Sequence, residues 1–141
     1  MASEKSFQQY FMKTIPHGYR ISLIQGGGFP DCLLIHGDRH SLVELKLLEI
    51  GPSGDKKLKG LFKQSQPPWY LNYLAKGGTR LFVVFKIVFS DTVCSYGVLH
   101  VQTRFLRDLD DVRYRELFDY EYVERATVKG VIYEIEERCF G

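Results

Sequence analysis

Apolar positions along the chain alternate between two periods, and each change of period marks a new element. Phe7, Tyr10 and Phe11 recur at three- and four-residue spacing, which predicts a first helix over Ser3–Thr14, with Ser3 or Ser6 as its cap and Pro16-His17-Gly18 as its stop. Tyr19–Ile24 reads as a short strand, followed by an open turn at Gln25-Gly26-Gly27-Gly28. Cys32–Ile35 and Ser41–Lys46 are β-compatible runs flanking a turn centred on Gly37-Asp38, a hairpin signature. The second run extends through Leu48 and is broken at Gly51-Pro52-Ser53-Gly54-Asp55. Ser65-Gln66-Pro67-Pro68 opens a second helix, which Trp69, Tyr70, Tyr73 and Leu74 continue to a glycine stop at Gly77-Gly78. Thr79–Phe89 is almost continuously apolar and predicts a central strand buried on both faces. Val93–Gln102 predicts another strand, Val112–Phe118 a helix within Asp108–Tyr120, and Thr127–Glu136 a last strand through Val128, Val131, Tyr133 and Ile135. The order α-β-β-β-α-β, then β-α-β, predicts an α/β (α+β) fold with a mixed sheet, because a helix between the hairpin and the central strand suits a parallel crossover.

The hairpin determines what its side chains can do. With Gly37-Asp38 at the tip, His36 faces Arg39, Ile35 faces His40, and Asp31 faces Glu44. Opposed residues share a face at a Cβ separation of about 4.5–5.5 Å, and Lys46 joins them because strand faces repeat every second residue. Two opposed carboxylates repel, so either water screens them at a solvated hairpin end or a divalent cation sits between them. A lysine on the same face and a glycine-rich loop just before Asp31 favour the metal site.

Composition narrows the setting. The chain has 141 residues, 45% hydrophobic and 26% charged, which predicts one ordered domain over 1–141. Its longest nearly apolar run, Leu81–Phe89, is too short to span a bilayer, and its first residues lack a secretory core. Three scattered cysteines (Cys32, Cys94 and Cys139) predict free thiols in a cytoplasmic protein and no zinc. His17, His36, His40 and His100 are equally scattered. Net charge is +2, divided as +5 over residues 1–103 and −3 over 104–141. A basic front suits nucleic acid, and an acidic end suits a partner or subunit. Lys56, Lys57, Lys59 and Lys63 crowd one span that reads either as a phosphate-tracking loop or as a solvated one.

Pro30-Asp31, twelve further residues, then Glu44-Leu45-Lys46 resembles the signature of the PD-(D/E)XK nuclease superfamily. Gly26-Gly27-Gly28-Phe29-Pro30-Asp31 and Gln66-Pro67-Pro68-Trp69 look most like its VRR-NUC and Holliday-junction-resolvase-like branches, including stand-alone phage nucleases. The resemblance covers a core of about residues 4–88, leaving an extension of about 91–141 outside it. It implies an endonuclease that hydrolyses phosphodiester bonds in branched or structured DNA with Mg²⁺, or Mn²⁺ in its place. Asp31, Glu44 and the Leu45 carbonyl would hold the metal. Lys46 would orient water or offset phosphate charge, and two carboxylates beside it favour its ammonium form. Glu4, the only carboxylate before Asp31, is the candidate for an acid from the first helix, with Gln8 and Gln9 as substitutes. Gln66 would assist at the phosphate or water, with Gln64 as the alternative. Relatives of this kind imply a homodimer with two active sites, acting in genome processing or packaging in the cytoplasm (the host's, if phage-encoded). A non-cleaving nucleic-acid-binding module, and a protein recruiting a replication or repair partner, are the other readings.

Overall fold

The computed structural model describes residues 3–16, 19–23 and 27–140. His17, Gly18 and residues 24–26, where the helix stop, the end of the first strand and the start of the glycine turn are expected, lie outside them. Ser3 caps the first helix, α1 (Glu4–Thr14), by accepting from the Ser6 amide at 3.0 Å. Strands β1 (Arg20–Leu23), β2 (Cys32–His36) and β3 (Arg39–Glu49) form an antiparallel meander. Gly37 turns the β2–β3 hairpin at φ 65°, and the register pairs His36 with Arg39, Ile35 with His40 and Cys32 with Val43, as the turn predicts. Helix α2 (Gln66–Ala75), with prolines in its first turn, then carries the chain across to β4 (Leu81–Val88), which lies parallel to β3. Strands β5 (Cys94–His100) and β6 (Tyr122–Arg125) complete a six-stranded mixed sheet in sequential order.

Both faces of the sheet are covered. Leu48, Leu81, Val83, Phe85, Ile87 and Leu99 point to the side packed by Tyr70 of α2 and by Phe105 and Leu117 further on. Val43, Leu45, Phe82, Val84 and Val98 point to the other side, against Phe7 and Phe11 of α1. Strand β4 is therefore apolar at successive positions because it has no solvent face. No helix among the described residues is long and apolar enough to cross a membrane.

The C-terminal section departs from expectation in three places. A short α3 (Thr103–Asp108) precedes the segment expected to be helical, which instead forms two 3₁₀ turns, Leu109–Asp111 and Tyr114–Asp119. The last strand lies at Tyr122–Arg125, so the β-α-β order of the extension holds with its third member moved. Residues 128–140 form a helix, α4 (Val128–Phe140), and not a strand. Val128, Val131, Ile132 and Ile135 are the buried set, at helical spacing, while Tyr133, counted into the strand alternation, is 69% exposed. Thr127 caps this helix by accepting from the Gly130 amide at 3.1 Å. Because α4 and Leu117 supply core on opposite faces, residues 104–141 are not a detachable acidic tail.

Gly97 on β5 marks a close approach. A Cβ there would lie 2.0 Å from the Tyr122 hydroxyl, which is tied to Glu124 at 2.7 Å together with the Tyr114 hydroxyl at 2.6 Å. Gly97→Ala is expected to cost about 1–3 kcal/mol of stability through overpacking, read from the urea midpoint.

Candidate active site

The site forms where β2 stops and β3 continues. The β2–β3 ladder ends at Cys32–Val43, so beyond it β3 has no strand partner on that edge among the described residues. Asp31, the residue before β2, fills the gap with its side chain. Its Oδ2 accepts from the Leu45 amide at 2.8 Å, and its own amide donates to Glu44 Oε1 at 3.1 Å. These two bonds lock the carboxylates together across the strands. In a strand, a residue's N–H and C=O project to the same edge. The Leu45 carbonyl is thus on the edge that faces Asp31.

Glu44 and Lys46 project together on the α2 side of the sheet. Both are buried, with 1% and 3% exposed, and Lys46 Nζ lies 3.2 Å from Glu44 Oε2. The ammonium also lies 5.2 Å from the Phe62 ring centre, a cation–π distance. Gln66, the first residue of α2, is 5% exposed and donates from Nε2 to Glu44 Oε2 at 2.8 Å. Its carbonyl accepts from the Lys63 amide at 2.9 Å, so the side chain is held at both ends. Gln64 is exposed, and this separates the two glutamines. Glu4 enters from the opposite helix layer. The Ser3 cap and buried Phe7 and Phe11 fix the start of α1, and Glu4 Oε1 reaches to 3.8 Å from Lys46 Nζ. Of its two proposed substitutes further along α1, Gln8 is half-buried and Gln9 exposed, and it is Glu4 that reaches the lysine.

One carboxylate oxygen from each of Glu4, Asp31 and Glu44 lies within 4.8 Å of the others. An ion bound at about 2.0–2.6 Å to hard oxygens spans about this distance between ligands. All three donors are hard, and each oxygen retains lone pairs beyond its hydrogen bonds. The donor set therefore fits Mg²⁺, Mn²⁺ or Ca²⁺ better than zinc.

Burial is the main cause that pushes the Glu44 carboxyl up to about 7, followed by the Asp31 charge; Lys46 and Gln66 pull it back only in part. Tyr70, one turn beyond Gln66 on the same helix face, was not expected at the site. It is fully buried; burial is the main cause that pushes its phenol up, followed by the charges of Glu44 and Asp31 and by a contact of its hydroxyl with the Glu44 carboxylate that falls short of a well-formed hydrogen bond. The signal in the chain is its four-residue spacing from Gln66.

The lysine span is less uniform than its composition. Lys56, Lys57, Lys59 and Lys63 are all exposed, but the backbone between the first three is pinned. Lys57 bridges Arg113, and the buried Leu58 donates to the Val112 carbonyl at 2.9 Å. Only Lys63 is tied to the site directly, through Gln66. Cys32, on the opposite face from Asp31, is buried and donates its thiol to the Val43 carbonyl.

The Glu44 environment predicts a pH dependence of stability for the metal-free chain. A carboxyl raised from 4.5 to about 7 favours the folded state while protonated, so its contribution is fully present below pH 4.5 and is lost as the pH rises through about 7. Between those limits wild type is expected to lose on the order of 3 kcal/mol relative to Glu44→Gln, measured by urea unfolding in EDTA. Compared with known proteins, the chain matches no family model and no curated protein.

Proposed function

We propose that the chain is a divalent-metal-dependent deoxyribonuclease of the PD-(D/E)XK kind. The observation that carries this reading is the convergence of three carboxylates from three separate elements within 4.8 Å, with a buried lysine 3.2 Å from one of them. A merely structural ion pair explains the cluster poorly. One buried and two half-buried carboxylates around one buried lysine leave surplus negative charge, and apolar residues of similar volume usually serve stability as well or better. A cation binding site gives that surplus a purpose.

Hydrolysis joins a water oxygen to phosphorus and breaks the bond to one sugar oxygen, which must then be protonated. Glu4, Asp31, Glu44 and the Leu45 carbonyl would hold the metal. A bound Mg²⁺ supplies polarisation of the phosphate and a lowered pKa for bound water. Lys46 offsets negative charge on the phosphoryl oxygens from its seat beside Glu44. Gln66 keeps Glu44 turned toward the cluster through its amide, and the Tyr70 hydroxyl stands beside the same carboxylate. Exposed Lys63, and with it Lys59, supplies sequence-independent attraction for the strand backbone.

Branched or otherwise structured DNA as substrate, a homodimer with one site per subunit, and a cytoplasmic setting suited to three unpaired cysteines belong to the same reading. Paired nicks on a junction, and a dimer in sedimentation, are the expected results.

The decisive test is nicking of junction, flap and linear DNA with Mg²⁺ or Mn²⁺. Asp31→Asn, Glu44→Ala and Lys46→Met are each expected to lose at least about 100-fold in rate. Calorimetric titration with Mn²⁺ should show binding lost in Glu44→Ala and kept in Lys46→Met. Full cleavage by Glu44→Ala and Lys46→Met together would end the proposal; tight DNA binding with no cleavage would select a non-cleaving module.

A further inference from the structure

The glycine loop and α2 bring three aromatic rings together beside the carboxylates. Phe29, two residues before Asp31, lies 4.9 Å from Trp69 between ring centres, and Trp69 stacks on Tyr73 at 5.6 Å with planes 9° apart. Trp69 stands three residues after Gln66 on the helix that holds Glu44. The loop is seated firmly on that helix. Gly28 has φ 85°, and a Cβ on it would lie 2.3 Å from the Ser65 carbonyl oxygen. Phe29 nevertheless stays 47% exposed. A ring serving only to anchor the loop would be expected to bury more of its surface, and this one keeps much of it in solvent.

We propose that Phe29, backed by Trp69 and Tyr73, is a stacking platform for one unpaired base of the DNA strand being cut. The proposal rests on the nuclease reading above and narrows its substrate to DNA with unpaired nucleotides at the scissile phosphate, such as a flap or a frayed junction. Bases within a duplex are stacked on each other and offer no free face, whereas an unpaired base presents one to an aromatic ring whatever its sequence. The placement suits a single strand threaded past the cluster. Two residues of chain span at most about 7 Å, so a base resting on Phe29 has its own phosphates close to Asp31. The Lys63 backbone amide is bonded to Gln66, and its side chain is exposed with charge suited to the strand backbone.

Trp69 is the only tryptophan in the chain, so its fluorescence reports the platform directly. The binding experiment uses Glu44→Gln protein, which lacks a metal ligand and leaves the strand intact. It titrates a short oligothymidylate, an abasic strand of equal length, and a blunt duplex. Quenching by the oligothymidylate alone is the expected result. Phe29→Leu in the same background should weaken that binding about five- to 100-fold, with Phe29→Tyr restoring it and thermal melting unchanged in both. In otherwise wild-type protein, Phe29→Leu should slow flap cleavage by a similar factor while Mn²⁺ affinity stays the same.

Equal quenching by the abasic strand, or an unaltered affinity in Phe29→Leu, would overturn the platform. Metal-dependent cleavage of blunt duplex as fast as flap, insensitive to Phe29→Leu, would overturn it and leave the nuclease reading standing. Base-dependent quenching with no cleavage by wild type on any substrate would do the reverse.

Discussion

Two hydrogen bonds between Asp31 and the start of the free edge of β3 organise this molecule's chemistry. A backbone amide left by the end of one strand must find an acceptor or lose free energy. The Leu45 amide finds it in the Asp31 carboxylate, and the Asp31 amide finds one in Glu44. Satisfying the backbone therefore brings together two acids that Coulomb repulsion would separate. Two side chains answer that repulsion, Lys46 with its ammonium and Gln66 with its amide nitrogen, both on Glu44; Glu4 adds a third acid from a helix whose apolar residues belong to the other face of the sheet, and meets the same lysine.

The site is also where the sheet changes direction. Strand β3 runs antiparallel to β2 and parallel to β4, so α2 must cross the sheet face to connect them. The crossover delivers the N-terminal end of α2, with Gln66, onto the face from which Glu44 and Lys46 project. The carboxylates come from a hairpin and its neighbouring helix, and the residue that orients one of them comes from the crossover. The cluster therefore exists only when α1, the β2–β3 hairpin and the start of the crossover are in place together.

Local patterns made much of this legible. The hairpin register came from a two-residue turn and period-two alternation, and these alone placed Asp31, Glu44 and Lys46 on one face. The choice of Gln66 over Gln64 depended on its spacing from Trp69, and the structure separates the two because Gln66 opens the helix and is buried while Gln64 precedes it and is exposed. Tyr70 was hidden because an aromatic on an amphipathic helix reads as core, and it is core; only the approach of its hydroxyl to Glu44 sets it apart. The C-terminal third was harder because its elements are short and its apolar spacing is ambiguous. Val131 and Ile132 are adjacent, which breaks strand alternation and fits one helix face, but including exposed Tyr133 restored a false period of two. The 3₁₀ turns at 109–119 hold too few residues for any period to emerge.

The register of β2 against β3 also limits how this chain can vary in length. A residue gained or lost within either arm between Asp31 and Glu44 would turn one acid toward the opposite layer unless a bulge absorbed it. Residues added at the Gly37-Asp38 tip would lengthen the loop without turning either arm, and the space around it is open, although Gly37 itself is held to glycine by its φ of 65°. Among descendants of this sequence, insertions should collect at the hairpin's end while its two arms keep their count.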